Sequence, residues 1–200
     1  MTVADFAEPV GLVSEDRARA EIYRLLGVLL AAPPDEQTLE VLRGIGDTEG
    51  PLAGIWRDLR KAAQNSEQEG LADEYHRLFI GLGRGEVVPY ASFYLAGFLM
   101  DRLLADLRGD LRRLGFARKV GVAEPEDHAA ARCEVMGLLI GENRREFSDR
   151  RFFFDRFVGS WFGRFFQDLA VAESADFYRA VSGLGRRFML IEQAYFDMPE

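Results

Sequence analysis

Apolar side chains recur every third or fourth residue from one end of this chain to the other, and no stretch rich in Val, Ile and Thr alternates with period two. A spacing near 3.6 lines apolar residues along one stripe of a helix, whereas a half-buried strand needs every second residue inside. The chain is therefore expected to be all-α, a single helical domain of about eight helices over residues 1–200. A chain of 200 residues also suffices for a core of its own, since at this size roughly 70% of the surface is removed from water on folding.

The punctuation of the pattern places the helices. The first covers 15–32, with Ser14 as its cap and Ile22, Leu25, Leu26 and Leu29 in one stripe; Pro33 and Pro34 end it. Helices follow at 35–43, 52–64 and 67–80. Residues 81–89 hold three glycines and a proline and read as a loop. A long helix is expected at 92–114, where Leu99, Leu103, Leu107, Leu111 and Leu114 keep helical spacing and Gly115 supplies the stop. Beyond a connector at 116–123, a helix opens near Pro125 and runs to 143 with Met136 and Leu139 inward. The last two cover 149–172 and 175–196, capped by Ser148 and Ser174. Residues 1–13 are expected to be disordered, and no fixed-period repeat is present.

Charge and cysteine content narrow the function classes. With 33 acidic and 25 basic residues the net charge is -8, the wrong sign for a protein that grips phosphate backbone with clustered Lys and Arg. The surplus acid either keeps the protein in solution or favours a basic partner. The one cysteine, Cys133, allows no internal disulfide and no all-Cys metal cage, and is expected to be a buried thiol. The longest apolar run, 25–32, falls far short of the ~20 residues a membrane helix needs, and the N-terminus lacks the form of an export signal. A cytoplasmic protein without an integral membrane segment is expected.

Three segments can carry chemistry. In Glu74-Tyr75-His76-Arg77-Leu78-Phe79 the two rings stand four apart, so Tyr75, Leu78 and Phe79 share a helical face that serves either as core or as an aromatic wall. Pro89-Tyr90-Ala91-Ser92-Phe93-Tyr94-Leu95 leads a loop into a helix; Ser92 fits an N-cap, and tyrosines suit a peptide-binding surface. Glu124-Pro125-Glu126-Asp127-His128 has proline and acid where a helix opens, either as a good helix start or as carboxylates able to take the forked donors of an arginine. Other matches are weaker. Gly81-Leu82-Gly83-Arg84-Gly85 follows a helix and lacks the Gly-Lys-Ser/Thr ending of a phosphate loop. His76 and His128 have no helical metal-ligand spacing, and Cys133 with His128 face different ways on one helix.

In this order and spacing, the three segments resemble the TorD/DmsD family of redox-enzyme maturation chaperones. That family shows an aromatic residue, two variable positions and Leu-Phe, then a Gly-rich loop to a Pro-aromatic-x-Ser-x-Tyr segment, then Glu-Pro-x-Asp-His. The match covers about a third of the chain. It departs from several relatives, which carry Trp where this chain has Tyr75 and Tyr90, while its own Trp56 and Trp161 lie elsewhere.

The resemblance implies a cytoplasmic chaperone, not an enzyme, that binds the twin-arginine signal peptide of a molybdoenzyme, a reductase or dehydrogenase, and supports cofactor loading and assembly before export. Its partners would be that peptide and the apo form of the client, with no nucleic acid; the chaperone would be a monomer or a helix-swapped homodimer hinged at 116–123. Tyr75, Leu78, Phe79, Pro89, Tyr90, Ser92, Tyr94, Glu124, Asp127 and His128 become the expected peptide site and should converge in space. The apolar middle of a leader would lie on Tyr75, Phe79, Tyr90 and Tyr94, and its arginines would approach Glu124 and Asp127. No catalytic residue, metal or cofactor is expected, with weak guanine-nucleotide binding left open. Two alternatives stand beside this: an assembly chaperone of a nitrate-reductase-type cytoplasmic enzyme, and a small helical enzyme using Asp127 and His128. Arg150-Arg151-Phe152-Phe153-Phe154 resembles an export motif in composition but sits mid-chain in an amphipathic helix and reads as structure.

Overall fold

The computed structural model describes residues 14–96, 101–117, 125–141 and 145–198. Helices α1 (Ser14–Ala31), α2 (Glu36–Arg43), α3 (Ala53–Gln64) and α4 (Gln68–Tyr75) come first, and α4 continues into a π-helical turn, His76–Ile80. Next come α5 (Ala91–Ala96), α6 (Asp101–Arg113) and α7 (Ala129–Gly141). Helix α8 (Phe147–Phe154) also runs into a π-helical turn, Asp155–Gly159, before α9 (Phe162–Val171) and α10 (Phe177–Asp197). No strand occurs among the described residues; one isolated antiparallel bridge joins Tyr90 to His128. The expected all-α class holds.

Helix α7 is apolar on nearly every side, with Ala129, Cys133, Met136, Leu139 and Ile140 all buried, and it forms the centre of the molecule. Its main neighbour is α1, which turns Tyr23, Leu26, Leu29 and Leu30 inward. Gly137 marks the tighter point of this contact: a Cβ there would sit 3.2 Å from the Arg24 Cγ, whereas one at Gly27 would meet the Cys133 Cβ at an ordinary 3.5 Å. On the other side α9 lies against α10, and α10 against α3. Phe162, Phe165 and Phe166 of α9 pack there with Phe177 and Phe188 of α10, all five fully buried. A ring this large gains its packing energy from close contact on all faces.

Helix boundaries follow the apolar pattern closely, with instructive differences. The single helix expected at 149–172 is interrupted at Ser160 and Trp161, where the π-helical turn ends and Trp161 adopts φ -142°. The helix expected to open at Pro125 begins at Ala129, because residues before it pair with the Pro89–Ala91 backbone instead. On either side of residues 97–100, which lie outside the described residues, α5 and α6 share the 92–114 span. Ser148 does not cap α8, whose N-cap position is Glu146. Residues 1–13 and most of the 116–123 connector also lie outside the described residues.

Candidate functional site

Two of the three singled-out segments meet. The Ala91 N–H donates to the Asp127 carbonyl at 3.0 Å, and the Ala129 N–H donates to the Pro89 carbonyl at 2.8 Å. Between them the Tyr90 ring stands edge-on to His128, centroids 5.1 Å apart. The Asp127 carboxylate reaches across to accept the Ser92 N–H at 3.2 Å. Asp127, not Ser92, therefore caps α5: Ser92 lies fully buried within the helix, and its hydroxyl has no hydrogen-bond partner among the described residues. His128 Nδ1 accepts the Ala130 N–H at 3.1 Å, which requires that nitrogen to be unprotonated. Asp127 and His128 are 3% and 5% exposed, so both serve a junction between backbones rather than an open acid–base pair. Glu124 lies outside the described residues.

Tyr75, Leu78 and Phe79 gather separately. The Tyr75 and Phe79 rings touch at 4.9 Å, and both meet Tyr178 of α10, at 5.9 and 5.3 Å. Tyr75 donates its hydroxyl to the Leu30 carbonyl at 3.2 Å, and Leu78 is fully buried. Burial, with the nearby Tyr75 and Glu74, raises the pKa of Tyr178 above the usual phenol range. Glu74 itself binds the start of α10: its carboxylate accepts the N–H groups of Asp176 at 2.8 Å, Phe177 at 3.3 Å and Tyr178 at 2.9 Å. This overturns the expected Ser174 cap. Ser174 instead gives both its hydroxyl and its N–H to Glu86, and these bonds lower the Glu86 pKa.

The glycine loop between these two groups has a structural use. Gly81 holds φ 62°, in the left-handed region, and a side chain there would fall on the Arg84 carbonyl. Gly85 presses on the backbone of Leu78 and Phe79. The Gly81 and Val87 N–H groups are spent on the His76 and Leu78 carbonyls, each at 2.8 Å.

Tyr94 points away from the Asp127 junction. Its ring lies against Trp161 at 5.5 Å and Phe165 at 6.2 Å, and its hydroxyl donates to Asp168 Oδ2 at 3.0 Å. Burial and this bond raise its pKa beyond the ordinary phenol value. Along this edge runs an open groove of about 660 Å³ lined by Phe93, Tyr94, Gly163, Arg164, Gln167 and Asp168. Of these only Tyr94 is an expected site residue; Phe93, Gly163, Arg164, Gln167 and Asp168 are not. Phe93 stands within a segment already noted, but nothing local ties Asp168 to a tyrosine 74 positions earlier.

Beneath the junction, Arg132 is 1% exposed, and none of its guanidinium nitrogens has a hydrogen-bond partner among the described residues. The cation lies over Phe153 at 5.6 Å and Phe157 at 5.9 Å. Burial drives its pKa down to about 9, against the opposing pull of the Asp127 and Glu126 charges. Among the described residues no three His, Cys, Asp or Glu side chains gather so as to hold a metal, and no helix is long and apolar enough to cross a membrane.

Known proteins resemble this chain in sequence and in fold. A family model described as nitrate reductase delta subunit matches residues 47–167, more than half of the chain. The chaperone protein TorD of Aliivibrio fischeri is 28% identical over 90% of this chain and 95% of its own length. TorD of Shewanella oneidensis is 27% identical over 86% of this chain and 87% of its own. In structure, a protein from Archaeoglobus fulgidus proposed to be a redox enzyme maturation protein superposes with a TM-score of 0.61 at 21% identity, over 92% of this chain and 99% of that one. These relatives are named chaperones and maturation proteins, not enzymes. With the Tyr75–Phe79, Pro89–Tyr94 and Asp127–His128 segments set in one order on an all-helical frame, the chain belongs to the nitrate reductase delta subunit family and is similar over most of its length to the TorD chaperones.

Proposed function

We propose that this chaperone binds the twin-arginine signal peptide of a molybdoenzyme and holds it in the cytoplasm while cofactor loading and assembly are completed. The observation that carries the reading is the open groove along α5 and α9, floored by the Phe93 and Tyr94 rings and edged by the Asp168 carboxylate. An extended peptide needs an apolar floor for its middle and a few fixed polar groups for its register. Asp127 is buried and engaged in capping α5, whereas Asp168 is exposed beside the groove with one oxygen on the Tyr94 hydroxyl, so Asp168 joins Glu124, which lies outside the described residues, as a carboxylate for the arginine contact. Tyr90, beside His128, and Phe79, against Tyr178, are both partly exposed but stand outside the groove lining. Tyr75, Leu78, Pro89, Ser92, Asp127 and His128 are buried and act by positioning α5 and its loop. A dissociation constant near ~1 μM, about 8 kcal/mol, would retain a leader and still release it.

Calorimetric titration with leader peptides of candidate molybdoenzymes tests this. Saturable binding is expected, weakened roughly tenfold by Asp168→Asn, the loss of one charge-assisted contact. Absence of heat with every leader would sink the reading. The name of the matching family favours a second one, in which the client is a nitrate-reductase-type enzyme that stays in the cytoplasm; a peptide panel including segments of such a client separates the two.

A further inference from the structure

Two arginines of the chain already cover the rings of this groove. Arg84, from the glycine loop, places its Cζ 4.8 Å from the Phe93 ring centroid, and Arg164 of α9 places its Cζ 5.9 Å from that of Tyr94. The two rings are joined edge to face, centroids 5.3 Å apart, and Asp168 stands one turn beyond Arg164. Both arginines are exposed, and neither guanidinium makes an ion pair or hydrogen bond among the described residues. Ring contact is what holds them.

Resting on the signal-peptide reading above, we infer that Arg84 and Arg164 are placeholders for the paired arginines of the incoming leader. Once they swing aside, the groove presents two ring faces and one carboxylate, which together form a receptor for guanidinium groups. An arginine side chain moves away on its own flexible stem, so exchange requires no change of fold. Each placeholder taxes the leader by the contact it must give up, and a peptide without a competing guanidinium cannot replace that contact. The arrangement therefore sets selectivity as well as affinity.

The sign of one mutational effect tests this. Exposed cation–π contacts are worth about two- to five-fold in binding. Arg84→Ala and Arg164→Ala are each expected to tighten a paired-arginine leader by about that factor in calorimetric titration, and the double variant by more than either. The gain should shrink for a leader whose arginines are replaced by glutamine. Arg187→Ala, exposed on α10 and outside the groove, controls for the general removal of positive charge; an equal gain there overturns the assignment. Unchanged or weaker binding by the groove variants overturns it too, since the arginines would then be inert or would contact the peptide themselves. If the unaltered protein binds no leader at all, the signal-peptide reading fails and this assignment with it; if it binds but the variants do not tighten, only the placeholders fail.

Discussion

Glu74 shows how a single side chain can carry a boundary that its own neighbourhood does not reveal. Its carboxylate receives three N–H groups at the start of α10, about a hundred residues away in the chain, and is 6% exposed. Unpaired N–H groups at a helix start need an acceptor, and a carboxylate also meets the positive end of the helix dipole. Glu74→Ala is accordingly expected to lower stability by about 1–3 kcal/mol. Ser174→Ala, which removes an exposed hydrogen bond to Glu86, should cost under ~1 kcal/mol. Urea denaturation of both variants checks the order, and a larger loss at Ser174 would refute the assignment. The same contrast explains what could be read in advance. Ser92, Ser148 and Ser174 were reasonable caps by local rules, which look only three residues ahead. Asp127 and Glu74 cap α5 and α10 from distant segments, and that pairing becomes visible only once the chain is folded. The convergence of the Pro89–Tyr94 and Asp127–His128 segments was legible because each carried an ordered motif; Asp168 had no such companion.

Among the helices, apolar periodicity placed every element whose buried face is continuous, as at Leu107, Leu111 and Leu114 or at Met136 and Leu139. It could not show the interruption at Ser160–Trp161, because a π-helical turn in a run of phenylalanines changes the hydrogen-bond partner without changing the residue types. Contact between elements depends instead on where a side chain is absent. Gly185 of α10 leaves room for the Phe166 ring of α9, and a Cβ there would fall within that ring. Gly185→Ala should therefore destabilise by about 1–3 kcal/mol, as overpacking does, despite the better helix propensity of alanine. At Gly27 a Cβ would meet the Cys133 Cβ and the Ala130 carbonyl oxygen at 3.5 Å, ordinary contact. Gly27→Ala is expected to stabilise by roughly 0.5–1 kcal/mol through the gain in helix propensity. Paired thermal melts of these variants decide the matter; shifts of the same sign would mean that α1–α7 and α9–α10 do not differ in closeness as described.

For the molecule as a whole, the two ends of the chain are tied by buried charge. Arg19 of α1 donates Nε to Glu192 of α10 at 2.6 Å and Nη1 to Asp16 at 2.8 Å, while Arg150 of α8 reaches Asp16 at 3.0 Å. The Arg19 guanidinium also lies 3.6 Å from the Tyr195 ring centroid. Burial by itself would lower the Arg19 pKa, but the hydrogen bond and charge of Glu192 outweigh it and raise the value. A folded pKa above the unfolded one contributes stability fully present below the unfolded value, so this tie persists through the whole neutral range. Its energetic character follows from burial: Glu192 is 0% exposed, and a charge left there without its partner costs far more than the pair gains. Glu192→Leu alone, and Arg19→Met alone, are each expected to destabilise by about 3–5 kcal/mol. The double variant replaces both charges with apolar volume and should lose much less than the sum of the two, by at least ~1 kcal/mol of coupling in a double-mutant cycle. Additive losses would mean that Asp16 and the Tyr195 ring hold Arg19 without Glu192, and that α1 and α10 are joined by apolar packing alone.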